Sequence, residues 1–108
     1  MELEKISEEI GILKEIGRTD FSSFYSILFS KIEPQHVKYL VVDLSTVPHD
    51  EKIEYLGILY GFFSGHDIIT AYIGIEKKTV KKEDWGIHTE AINSSIHKTL
   101  EEAIASIG

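Results

Sequence analysis

Histidines, acids and hydroxyls are the groups of this chain that could do chemistry, and their spacing offers little of it. Five histidines stand at positions 36, 49, 66, 88 and 97. None belongs to a His-Glu-x-x-His or His-x-His arrangement, so only distant tertiary contacts could assemble a metal site from them. His49–Asp50 and His66–Asp67 are sequence neighbours at expected loops, where adjacent side chains seldom converge on one site. No Gly-x-Ser-x-Gly elbow presents a serine nucleophile. The chain has no cysteine, which removes thiolate nucleophiles, disulfides and thiolate metal sites together. Gly57, Gly61 and Gly65 recur every four residues but lack the Gly-x-Gly core and the Lys-Ser/Thr of a phosphate loop. That spacing reads instead as a helix packed closely on a sheet. Trp85 reads as a lid over the edge of the core, with an exposed partner anchor as the alternative. The expectation is a protein that is not an enzyme and holds neither metal nor cofactor.

The elements that must carry these residues belong to one domain, because 108 residues match the commonest domain size. The composition, 43% hydrophobic and 27% charged, is that of a globular chain with a real core. Eighteen acids against eleven bases give a net charge of −7, which argues against general nucleic-acid binding. The one basic cluster, Lys77, Lys78, Lys81 and Lys82, is bordered by Glu76, Glu83 and Asp84 and reads as a solvated helix end. Residues 1–5 carry acids where a secretory signal needs bases and then an apolar stretch. The longest apolar run, 56–63, falls far short of the ~20 residues that span a bilayer. A cytoplasmic protein without membrane insertion is expected.

Periodicity divides the chain into alternating strands and helices. Residues 1–17 fit either a helical stripe (Leu3, Ile6, Ile10, Leu13) or two strands turned at Ser7-Glu8-Glu9, with Gly11 and Gly17 favouring the strands. Thr19-Asp20 offers N-cap chemistry for a helix carrying Phe21, Phe24, Tyr25, Leu28 and Ile32 inward, stopped by Pro34. The β-branched run 37–44 reads as a central parallel strand. A second helix begins at Asp50, with Ile53, Leu56, Leu59, Tyr60 and Phe63 on one side and Gly65 at its end. A strand at 68–75, a short helix from Thr79 to Trp85 closed by Gly86, and a short strand at 92–96 follow. Thr99 and Glu102 then form a capping box for a last helix, with Leu100, Ala103, Ile104 and Ile107 inward. Strands alternating with helices imply an α/β fold on a mostly parallel sheet.

Three segments, in order, resemble the STAS domain, the module of anti-sigma factor antagonists and of sulfate-transporter tails. Glu15-Ile16-Gly17-Arg18-Thr19-Asp20-Phe21-Ser22-Ser23 is similar to the family's Gly-Arg-x-Asp turn into its first helix. Leu40-Val41-Val42-Asp43-Leu44-Ser45-Thr46-Val47 is similar to the central strand with its Asp-Leu-Ser-x-Val ending. Lys98-Thr99-Leu100-Glu101-Glu102-Ala103-Ile104 resembles the closing Ser-Leu-Glu-Glu-Ala helix. The resemblance extends over roughly the whole chain. It implies a mixed, mostly parallel sheet of four to five strands, with helices packed mainly on one face and an N-terminal strand in front. It also implies a bacterial signalling module that binds a protein: an anti-sigma factor with serine-kinase activity, or a transport-associated protein.

In partner-switching members of that family a Ser or Thr within Asp-Ser-Ser/Thr-Gly opens the second helix and is phosphorylated. Here the stretch is Pro48-His49-Asp50-Glu51-Lys52-Ile53, with Glu51 and Lys52 where the hydroxyls would stand. The usual phosphoacceptor is therefore missing. Asp50 and Glu51 read as acids complementing a helix N-terminus, worth about 0.3–1 kcal/mol each, or Glu51 as a partial imitation of a phosphate. Thr46 or Ser45 are the candidates for a displaced phosphoacceptor. The expected partner surface comprises Ser45, Thr46, His49, Asp50, Glu51, Lys52 and Glu54. The alternative is a small-ligand or lipid-binding domain using apolar space beneath Tyr55, Tyr60 and Phe62, with a homodimer through Ile58 and Phe62 as a further reading.

Overall fold

A computed structural model describes residues 1–16, 21–77 and 86–107. The expected turn and cap at 17–20, the helix from Thr79 to Trp85 and most of the basic cluster lie outside the described residues.

The ambiguous N-terminal segment is a hairpin. Strand β1 (Glu2–Lys5) pairs antiparallel with β2 (Ile10–Lys14), placing Leu3 opposite Leu13 and Glu4 opposite Ile12. The turn is closed by the N–H groups of Ile6 and Ser7, which both donate to the carbonyl of Ile10 at 2.9 and 3.2 Å. Lys14 reaches diagonally to Glu4 (Nζ–Oε2 2.8 Å), and that hydrogen bond holds the ammonium above its ordinary pKa.

Strand β2 then pairs parallel with β3 (Tyr39–Asp43), and β3 pairs parallel with β4 (Ile69–Ile73). The sheet therefore has four strands in the order β1-β2-β3-β4, mixed but mostly parallel, as the alternating elements predict. Leu40, Val41 and Val42 are fully buried, which explains the unbroken apolar run of β3.

Helix α1 (Phe21–Ile27) runs into a π-helical turn, Leu28–Ile32, sealed by the Glu33 N–H donating to the carbonyl of Leu28 at 2.9 Å. Phe24, Leu28 and Ile32 are buried at a strict spacing of four. In an α-helix that spacing drifts around the axis, and the wider turn takes the drift back. Tyr25, expected inward, is 47% exposed, as is Phe29 at 54%.

Helix α2 (Lys52–Gly65) follows a 3-10 turn, His49–Glu51. Leu56, Leu59 and Phe63 are its buried residues, with Ile53 and Tyr60 half-buried. It ends at Gly65 as expected, with His66 as its C-cap. Asp67 adopts φ +60°, the N–H of Ile68 donates to the carbonyl of Phe63 at 3.0 Å, and that of Asp67 to Ser64 at 3.2 Å. This is a Schellman ending with an aspartate at the left-handed position, and Ile68 and Phe63 share the core beneath it. Gly61 and Gly65 have open space where a Cβ would stand, so they do not mediate close packing on the sheet.

The strand expected at 92–96 is mostly helix. Helix α3 (Thr89–Ser94) follows a 3-10 turn, Gly86–His88, and only Ile96 meets the sheet, in a single parallel bridge to Tyr72. Ile92 and Ile96 are both buried, and a spacing of four suits a helix and the residue just past it. Helix α4 (Leu100–Ile107) begins with the expected cap: the N–H of Glu102 donates to Thr99 Oγ1 at 3.2 Å, while Glu102 Oε2 accepts the N–H of Lys98 at 3.3 Å.

The helices divide unequally. Residues of α1, its π turn, α2 and α3 form the larger core with Leu13, Leu40, Val42 and Tyr72. On the opposite face, among the described residues, α4 covers Ile12, Val41 and Ala71.

Candidate functional site

The segment 45–54 leaves the carboxyl end of β3, the end at which open α/β sheets place their sites. The N–H of Ser45 donates to Asp43 Oδ1 at 2.9 Å, and that of Val47 to the Leu44 carbonyl at 3.1 Å, so the chain turns sharply out of the sheet. Val47 is buried and pins the turn, whereas Ser45 and Thr46 are exposed. The 3-10 turn comes next, tightened by the Glu51 N–H donating to Pro48 at 2.9 Å.

Within this segment the expected site residues separate into two groups. His49, Asp50 and Glu54 are exposed along with Ser45 and Thr46. Glu51 and Lys52 are half-buried, with Glu51 Oε2 shielded from solvent. Asp50 is not the helix cap: the residues at the N-cap positions are Pro48 and Glu51, and neither makes a side-chain capping bond. Lys52 turns back toward the sheet, its Nζ donating to the carbonyl of Gly74 at 2.6 Å.

Gly74 is a residue that sequence reasoning missed. It has φ +80°, and a Cβ there would overlap the main-chain nitrogen of Ser45 and stand 3.0 Å from Asp43 Oδ1. The exits of β3 and β4 thus touch backbone to backbone, and Lys52 ties α2 to that contact. A glycine after the apolar run 68–73 was the only available signal, and it is too common to be decisive.

His49 and His97 border one groove, of which the other histidines are not part. His36 sits in the turn after the π helix with φ +57°, His66 is the C-cap of α2, and the N–H of His97 donates to the Tyr72 carbonyl at 2.8 Å. Among the described residues no three His, Asp or Glu side chains form a group that could hold a metal ion. No helix among them is long and apolar enough to cross a membrane.

Two apolar features also escaped the sequence reading. Tyr25, Phe29, Phe62 and His66 form one ring cluster across α1 and α2, with Tyr25 and Phe62 edge-on at 4.8 Å and Phe62 and His66 at 5.0 Å. The ring of Phe24 stands 6.4 Å from that of Tyr55 and 6.5 Å from that of Phe62. On the α4 side of the sheet, Ile10, Tyr39 and Ile69 stand in register across three strands, with Ile10 and Tyr39 half-buried and Ile69 56% exposed. The next row on that face, Ile12, Val41 and Ala71, is the one α4 covers.

The chain matches no protein-family model and no curated protein.

Proposed function

We propose that this chain is a non-catalytic, cytoplasmic protein-interaction module, a divergent relative of the STAS domains. In this reading it binds a protein partner of a bacterial signalling or transport-associated system through the segment 45–54. The observation that carries the reading is the division within that segment. Ser45, Thr46, His49, Asp50 and Glu54 are exposed side by side on a base fixed by Val47, Lys52 and Gly74. Exposed polar groups on a rigid turn suit recognition, because little freedom is lost when a partner binds. The ordered resemblance and the mixed sheet with an antiparallel first strand agree with the STAS assignment. Asp50 and Glu54 give the surface its acidic character, and the matching partner surface is basic.

The test is crosslinking of the purified chain in lysate of its source, with the crosslinked peptides mapped. A partner joined through 45–54, and released by Asp50→Lys with Glu54→Lys, is the expected result. Crosslinks that map elsewhere, or that survive both reversals, refute the assignment of this surface. Phosphate mapped to Ser45 or Thr46 after incubation with serine kinases of the same genome would add a switch to the module.

A second reading, self-association, is favoured by the row Ile10–Tyr39–Ile69. A two-fold contact presents one patch to its own copy, and this row is apolar with Ile69 56% exposed. Sedimentation velocity distinguishes a doubled mass from a monomer.

A further inference from the structure

The chain's negative charge is unevenly spread. An open groove of about 1290 Å³ lies where β4 ends. It is bounded by His49 and Lys52 at the start of α2, by residues 74–77 after β4, by residues 96–98 and by Glu102 of α4. Among the described residues, Lys52, Lys77 and Lys98 line it, against Glu76 and Glu102. Glu102 is occupied with the start of α4, where its carboxylate accepts the Lys98 N–H. Lys52 spends one N–H on Gly74, which leaves two donors of its ammonium for another acceptor. Lys77 and Lys98 are exposed, while Ile75 and Ile96 are buried beside them. An anion in the groove thus meets ammonium groups from three separate segments next to an apolar wall, where attraction is less damped than on open surface.

We propose that this groove binds a small phosphorylated anion. Among the described residues its cations are all lysines, compact charges that suit a tetrahedral oxyanion approached from several sides. The groove is broader than a single ion needs, which leaves room for a pyrophosphate or a phosphate ester. The inference shares His49 and Lys52 with the partner surface but does not rest on that reading.

Pyrophosphate is the probe, titrated calorimetrically into the full chain at low ionic strength, where screening is weakest. Saturable binding is expected. Lys77→Glu with Lys98→Glu weakens it at least about tenfold, while the charge-matched control, Lys31→Glu with Lys38→Glu, changes it by less than about twofold. Circular dichroism establishes that both double variants keep the fold. Parallel titration with vesicles of phosphatidylcholine and phosphatidic acid separates the sources: vesicle binding lost in the groove variant identifies a lipid headgroup, and pyrophosphate binding without vesicle binding identifies a free ligand. No saturable binding up to about 10 mM pyrophosphate, or equal weakening by the control variant, overturns the proposal.

Discussion

The ammonium of Lys52 donates to the carbonyl of Gly74 across 2.6 Å, joining the first residue of α2 to the turn that follows β4. The same glycine lies against Ser45, so the exits of two parallel strands and the start of a helix form one unit. The exposed residues of 45–54 rest on that unit as well as on their own turns.

Replacing Lys52 with Met keeps the aliphatic stem and removes the bond. A hydrogen bond from a charged donor is worth about 1.5–3 kcal/mol when enclosed, and partial exposure lowers this to about 1 kcal/mol. Urea denaturation is expected to show that loss for Lys52→Met, against a change within about 0.5 kcal/mol for the exposed Lys31→Met. Equal effects would mean that the bond to Gly74 holds nothing in place.

Gly74→Ala tests the contact from the other side. The left-handed backbone costs an alanine about 1–2 kcal/mol, and the overlap with Ser45 forces a backbone shift costing about 1–3 kcal/mol more. A total loss of about 3 kcal/mol is expected by chemical denaturation, with reduced partner binding because 45–46 must move. At Gly61, where a Cβ meets open space within a helix, alanine should instead stabilise by about 0.5–1 kcal/mol.

These neighbours show what a sequence can and cannot convey. Thr99 and Glu102 lie three residues apart and cap one helix, so their bond was legible as a pattern. The run 37–44 announced a central strand because both of its faces are covered. Gly74 and Ser45 are far apart in sequence, and no local rule brings them together. Tyr25 was placed inward by its i, i+3, i+4 spacing, but the buried face of this segment runs through Phe24, Ile27, Leu28 and Ile32. Gly65 ends the helix as the pattern indicated, while the left-handed turn after it falls to Asp67, where Ile68 packs with Phe63. Ile92 and Ile96 fitted two periods equally, and packing beneath α3 chose the helical one. That a turn leads from β3 into a helix starting near residue 50 was legible as well. The segment's division into exposed and anchored side chains depended on Lys52 reaching back to the sheet.

Tyr72 carries a prediction about pH. It is fully buried, and burial pushes its phenol well above the ordinary value, with the hydrogen bond from Thr70 Oγ1 at 3.0 Å opposing in part. A phenol whose pKa is raised by folding contributes stability that is complete below its unfolded pKa of about 10 and is lost as pH rises beyond it. The wild-type protein should therefore lose stability progressively above about pH 10. Tyr72→Phe should cost about 1 kcal/mol at pH 7, because the Thr70 hydroxyl loses its partner. Its stability should then decline less steeply above pH 10 than that of the wild type. Parallel alkaline decline in the two proteins would show that other groups control the loss.

Ile69 tests the second reading of the fold. Helix α4 shields Ile12, Val41 and Ala71, but the adjoining row Ile10–Tyr39–Ile69 faces outward on the same side of the sheet. An apolar side chain that is 56% exposed in a strand gains little by folding and much by being covered. Threonine keeps the β-branched shape that a strand favours and carries a hydroxyl compatible with water. Ile69→Thr should therefore leave monomer stability within about 0.5 kcal/mol. If the row is a self-association face, the substitution should weaken the dimer at least about tenfold, as measured by sedimentation velocity across a concentration series. A dimer of unchanged affinity would locate the contact elsewhere, with the ring cluster of Tyr25, Phe29 and Phe62 the next surface to alter. A wild-type chain that stays monomeric throughout the series would remove the second reading and leave the segment 45–54 as the surface to pursue.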